Sequence, residues 1–383
     1  MINRSAATAL ILVFAGGAAH AYTIETHFTA RCHERITSDA FRTARGALEL
    51  PAPPRPTSDE QALIDDLQFS PDGDMKDLIS ATLLIGVRDN DLKGNSQDDL
   101  SVLPAIHGDP ANQDEHCLRG PEDKEPDGTA AAIAACRSFI RSRILEALGG
   151  LDAAGHPDLA KRTSIGLHLS LRGHVDASLP TVYLRLGQAL HAVQDSFTHT
   201  YRTPDGMKIT VVLNWLDSVD GSLVESRDGP AHATKLDACD DPDELRKTRR
   251  VLATAASEAL LFAALDARKT RDERMAGVDA ILDTYLSNSP GCTFQNGWCD
   301  APEARYKDTK NLFGCTTAPI AAWGAVALLV LAMRMRRKAA FTMLMIAFAG
   351  TARAAEVEPT TSSTTTTTPA KAATPTANPS PRW

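Results

Sequence analysis

Between residues 183 and 201 the chain reads YLRLGQALHAVQDSFTHTY. On a helix at about 100° per residue, His191, Asp195 and His199 recur every fourth position and fall within roughly 80° of one another. Leu186, Leu190, Val193 and Phe197 cluster within roughly 60° on the other side and predict the core face. A solvated polar face would carry Lys, Arg or Glu, and residues 186–201 contain none. A carboxylate held between two imidazoles away from water is costly unless something positive sits there. A divalent metal meets that need, because His and carboxylate side chains one turn apart aim their donor atoms at a common spot. An Asp can also bridge two ions, with one His on each. A lone histidine would fit an ordinary core position; three aligned donors point to metal.

Further ligands are needed, and the remaining histidines supply candidates. His33 opens the run HERITSDAF. His116 lies in QDEHCLR, His232 in DGPAHATKLD with Asp237 following, and Asp89 and Asp91 in GVRDND. Each competes with an ordinary surface or core role. His27, His107, His156, His168 and His174 have weaker cases, and His168 and His174 are expected to be structural.

These donors must be held by a scaffold, and residues 22–310 show helical periods with few strand signals. Residues 130–148 repeat apolar positions at helix spacing and stop at Gly149-Gly150. Asp241, Pro242 and Glu244 predict a helix start, with Asp241 as cap, running to about residue 267. Further helices are expected over residues 33–48 and 276–286, and a loop over 51–56. Residues 89–127 read as one long polar loop, a length usually functional or disordered. The expected fold is all-α: a single multi-helix domain with long polar loops, followed by a C-terminal membrane segment.

The ends read as targeting segments. Residues 1–21 carry Arg4, an apolar run and Ala19-His20-Ala21, the pattern of a cleaved secretory signal. Cys315, an apolar run over 318–333 and the basic cluster 334–338 follow a stop-transfer order, so residues 311–338 read as an anchor. Residues 339–355 are a second apolar segment, compatible with a membrane hairpin, a second signal or a gene fusion. Residues 356–383 are rich in Thr and Pro and are expected to be disordered. Export implies an oxidising compartment, so six cysteines besides Cys315 should pair. Cys292 with Cys299 is the first expectation and Cys117 with Cys136 the second. The composition, 43% hydrophobic and 23% charged with net charge −8, excludes wholesale disorder and disfavours a protein that coats nucleic acid. Aromatic residues at 5% disfavour base-stacking platforms.

The order His33, Asp91, His116, then H-x3-D with a later His on one helix, then a His with an acid, resembles zinc-dependent phospholipase C and the single-strand nucleases of its superfamily. The run GQALHAVQDSFTHT is most similar to the Het-C-like branch. The Cys–apolar–Arg tail resembles the C-terminal sorting tail of myxobacterial surface proteins, although those usually stop at the Arg cluster. The first resemblance implies two or three zinc ions held by His33, Asp91, His116, His191, Asp195, His199, His232 and Asp237. Asp195 would bridge, with His191 and His199 on different ions. It implies a secreted or surface-anchored phosphodiester hydrolase acting on phospholipid or nucleic acid, in which metal-activated water attacks phosphorus. Asp89 or Asp91 would orient that water, and Arg202 could hold a phosphate oxygen. A non-catalytic, metal-stabilised Het-C-like surface module is the alternative. Three departures stand out. The phospholipases space Asp and the second His by five residues between, against three here. Their last pair is H-x3-E, whereas Leu236 occupies that position and Asp237 follows. Their first mature residue ligates a metal through its amine and carbonyl, which Tyr22 could do only after cleavage at Ala21.

Overall fold

The computed structural model describes residues 23–26, 29–48, 50, 52–99, 101–239 and 243–306. The expected signal segment 1–21, the Tyr22 amine, His27, Cys315, and segments 311–338, 339–355 and 356–383 lie outside the described residues. No helix among the described residues is long and apolar enough to cross a membrane.

In chain order the helices are α1 (Cys32–Ala47), α2 (Ser58–Asp65), α3 (Leu78–Leu92), α4 (Val102–His107), α5 (Gly128–Gly149), α6 (Thr181–Asp195), α7 (Leu216–Asp220), α8 (Glu225–Asp228), α9 (Glu244–Leu265), α10 (Arg271–Tyr285) and the single turn α11 (Gly297–Asp300). Two small antiparallel sheets correct the all-α expectation: β1 (Arg162–Leu169) with β2 (Gly173–Pro180), and β3 (Thr200–Arg202) with β4 (Ile209–Val212). The fold is mostly helical. The β1–β2 hairpin pairs His168 with His174 and turns at Gly173, whose φ is +68°. Its alternating Ile165, Leu167 and Leu169, with Val175 and Ala177 opposite, carried a strand signal that the helical reading passed over.

α6 is buried on every side from Val182 to Asp195, Arg185 excepted, as a helix without a polar stripe must be. α3, α5 and α9 surround it. α3 and α6 approach at two glycines. A Cβ on Gly86 would meet the Leu184 carbonyl oxygen at 2.2 Å, and one on Gly187 would meet that of Leu83 at 2.3 Å. Only glycine permits this crossing. It sets Asp91, five residues past Gly86, beside His191, four past Gly187.

Three boundaries differ from the sequence expectation. α6 ends at Asp195 rather than running to Tyr201. The Ser196, Thr198 and Thr200 hydroxyls donate to the carbonyls of Val193, Asp195 and Ser196, drawing the chain out of the helix. α3 runs through Asp89 and Asp91 to Leu92, so the polar loop begins only at Lys93 and is itself broken by α4 and short 3-10 turns at Pro110–Asn112 and Asp114–His116. The cap of α9 is Asp243, which accepts from the amides of Leu245 and Arg246, so Glu244 opens the helix; Asp241 and Pro242 lie outside the described residues. Disulfides join Cys292 to Cys299 and Cys117 to Cys136, and the remaining pair is Cys32–Cys239.

Candidate metal centre

The first turn of α1 carries His33, the last turn of α3 carries Asp91, and α6 carries His191 and Asp195. His116 ends the 3-10 turn before Cys117, and His199 stands four residues past the end of α6. His232 and Asp237 flank the turn Thr234–Leu236. All eight residues are buried, none more than 7% exposed.

The histidines are oriented from behind. His191 Nδ1 lies 2.8 Å from the Val87 carbonyl oxygen, and His199 Nδ1 bonds the His116 carbonyl oxygen. A carbonyl only accepts, so both Nδ1 atoms carry the proton and both Nε2 atoms are left as donors to a metal. His33 Nδ1 donates to Gln194 Oε1 at 2.7 Å. Gln194 is held in that orientation by donating its amide to Thr37 and Ser257.

The front of the site is crowded with electron pairs. Asp195 is fully buried with Oδ2 at 2.9 Å from His191 Nε2 and 3.0 Å from His116 Nδ1, and Oδ1 at 3.1 Å from His33 Nε2. His191 Nε2 also faces His116 Nδ1 at 3.1 Å. Burial lowers the His191 pKa despite Asp195, and drives that of His199 down to about 4. A neutral His191 therefore presents a lone pair to a carboxylate, an arrangement that calls for a cation between them. Burial alone would lower the His33 pKa and raise that of Asp195, but the charges around them win: Asp195 and Asp91 push His33 up to about 9, while His191, His199 and His116 hold Asp195 well below the usual carboxylate range. Burial raises Asp91, and raises Asp237 well above its ordinary value.

Four donor groups result: His33–Asp91–His191, Asp91–His107–His116 and His116–His191–Asp195, which share members, and the separate set His199–His232–Asp237. Within each group the donor atoms lie within 4.8 Å of one another, so a point exists no farther than about 2.8 Å from all three, near the zinc–donor range of roughly 2.0–2.2 Å. Asp91 Oδ1, His116 Nε2, His199 Nε2 and both Asp237 carboxylate oxygens are buried without a hydrogen-bond partner, a costly state that a bound ion relieves. The residues present fit a metal: these buried His/Asp clusters could hold one or more ions.

The eight residues singled out as ligands thus converge. Asp195 touches His33, His116 and His191, while His199 belongs with His232 and Asp237, whose nearest atoms are 3.4 Å apart. Asp89 does not join them. It is two residues from Asp91, about 200° around the helix, and accepts from Gln188 Nε2 at 2.6 Å on another side of α3. Arg202 is also elsewhere than expected. Fully buried in β3, it donates to the carbonyls of Ser196, Gly206 and Tyr285 and stacks 4.0 Å over Phe197, so it clamps the chain after α6 and is not placed to hold a phosphate. His107 is the residue that sequence reasoning undervalued. It is 2% exposed at the end of α4, with Nε2 3.5 Å from Asp91 Oδ1 and its ring stacked 4.1 Å from His116. Its only cue was a place after a short apolar run.

No protein family, curated protein or solved structure matched the chain in comparisons of each kind.

Proposed function

We propose that this chain is a zinc-dependent phosphodiester hydrolase of the phospholipase C and single-strand nuclease type, exported and anchored through its C-terminal segment. One observation carries the proposal: two donor sets lie side by side, one centred on Asp195 and one on His199, His232 and Asp237, with the histidines at their junction locked by carbonyls behind them. Paired ions in such sets would neutralise a phosphate and lower the pKa of water. The chain's own residues do the rest. Asp195 draws His33, His116 and His191 together, Val87 and His116 carbonyls fix the imidazole tautomers, and Asp91 stands within 3.7 Å of His191 Nε2, near enough to accept a proton at the centre. The set His199–His232–Asp237 offers three donors that would hold an ion able to activate water. A C-terminal anchor and a net charge of −8 favour phospholipid over long polyanionic nucleic acid as substrate.

A second reading, a non-catalytic metal-stiffened Het-C-like module, is favoured by the burial of every donor, since closed sites are structural. Metal content of the purified chain, with hydrolysis of bis(p-nitrophenyl) phosphate before and after chelation, separates the readings. Hydrolysis that chelator abolishes and zinc restores supports the enzyme. Full metal occupancy without hydrolysis leaves the module. A chain that binds no metal under either condition refutes both.

A further inference from the structure

Two disulfides join cysteines that adjoin the donor residues along the chain. Cys32 immediately precedes His33, Cys117 immediately follows His116, and Cys239 lies two residues after Asp237. The bridge Cys32–Cys239 joins positions 207 residues apart and fastens the Asp237 segment to the start of α1. Past the pairing of His232 N with Asn214 O, the backbone bonds of that segment include the local turns Leu236 N to Ala233 O and Asp237 N to Thr234 O. The covalent bridge reaches across to the helix that carries His33. The bridge Cys117–Cys136 fastens the His116 turn to α5, with Cys117 itself in the left-handed region at φ +49°. All four half-cystines are at most 4% exposed. The third bridge, Cys292–Cys299, closes a short loop that holds none of the donors.

We propose that Cys32, Cys239, Cys117 and Cys136 are positioning residues of the metal centre: the two bridges bring His33, Asp237 and His116 into binding geometry, so the chain binds metal tightly only when both are oxidised. The proposal rests on the metal reading above. These three donors come from segments distant in sequence. A covalent tie beside each donor lowers the chain-entropy cost of holding those segments together. The tie also makes metal retention depend on redox state. A phosphine reductant would cleave each S–S bond, becoming phosphine oxide with oxygen from one water, whose two protons end on the two thiols.

The test uses the full chain in three paired variants: Cys32→Ser with Cys239→Ser, Cys117→Ser with Cys136→Ser, and Cys292→Ser with Cys299→Ser as the control. Zinc affinity is measured by chelator competition, coordination by the visible spectrum of bound Co²⁺, and fold by far-ultraviolet circular dichroism. The first two variants should retain helical signal, bind zinc about 10–100-fold more weakly and show an altered cobalt spectrum, while the control matches wild type. Wild-type zinc affinity and cobalt spectrum in the folded Cys32/Cys239 variant overturn the proposal. If that variant fails to fold, the oxidised zinc-loaded wild type is treated with the phosphine. Zinc release that follows thiol appearance while helical signal persists supports the proposal. Zinc retained after these thiols appear, or released only once helical signal is lost, overturns it. Oxidised wild type that binds no zinc refutes the metal reading itself, a result distinct from failure of the bridges to matter.

Discussion

Replacing Asp195 with Asn separates the metal account from a purely structural one, because the two give opposite results with and without metal. The substitution keeps side-chain volume and removes one charge from a site with three imidazole nitrogens within 3.1 Å of it. Unit charges about 4 Å apart at an effective dielectric near 20 interact by about 4 kcal/mol, and a dication doubles that. Relief from burying the carboxylate and the surviving amide oxygen return several kcal/mol. A net loss of about 4 kcal/mol remains, roughly a thousandfold in affinity. With metal at about a thousand times the wild-type Kd, binding adds about 4 kcal/mol to wild-type stability and only about 0.4 kcal/mol to the variant. At roughly 2–4 °C per kcal/mol for a domain of this size, the metal-induced rise in Tm should fall by about 7–15 °C. Without metal the variant should lose only the His33–Asp195 pairing, up to about 3 kcal/mol below pH 6.5 and little above pH 9, where His33 is neutral in both proteins. Differential scanning calorimetry with and without zinc measures both differences. An Asp195→Asn chain that keeps the full metal-induced rise would refute the reasoning, as would a metal-free deficit equal to the metal-loaded one.

Other consequences are equally open to measurement. Gly187→Ala drives a methyl group into the Leu83 carbonyl, so it should cost about 3 kcal/mol in denaturant unfolding and weaken zinc binding by parting α3 from α6. His107→Ala should weaken zinc binding about tenfold in chelator competition, while the same change at exposed His156 leaves it unaltered. The metal-free chain should also be less stable at high pH. The His33 pKa is raised to about 9 from 6.5, so its contribution is complete below about pH 6.5 and lost as pH rises through 9, up to about 3 kcal/mol. The raised Asp91 and Asp237 act in the same direction. Urea unfolding at pH 6.5 and 9 should show this decline without zinc and lose it with zinc, since the ion replaces the proton at His33; a flat metal-free profile would contradict the assignment.

How much of this was legible in the sequence depends on which residues are asked. The helices α1, α5, α9 and α10 were visible because each has one wet face, and a wet face leaves a period of apolar residues. Even there the reading is approximate: Leu145, counted on the apolar face of α5, is 39% exposed. α3 was hidden for the opposite reason. Its stretch LISATLLIGVRDNDL is buried nearly all round, so it has no stripe, and its polar end looked like loop. That polar end faces the donor groups. The same physics explains α6. Residues 186–201 lack surface charge, which exposed the site, but absence of charge says nothing about where a helix stops, and the Ser/Thr hydroxyls that stop it were read as helix face. Asp89 and Asp91 show the limit most sharply. As loop residues they were interchangeable; on a helix two positions apart point different ways, and only Asp91 meets the histidines. Composition could find the buried charge, whereas the partners that make it tolerable came from crossings such as Gly86 on Gly187, whose effect lies in three dimensions. The glycine pair and the two inner disulfides are therefore as much part of the centre as its ligands, because they bring together nine imidazoles and carboxylates that lie far apart along the chain.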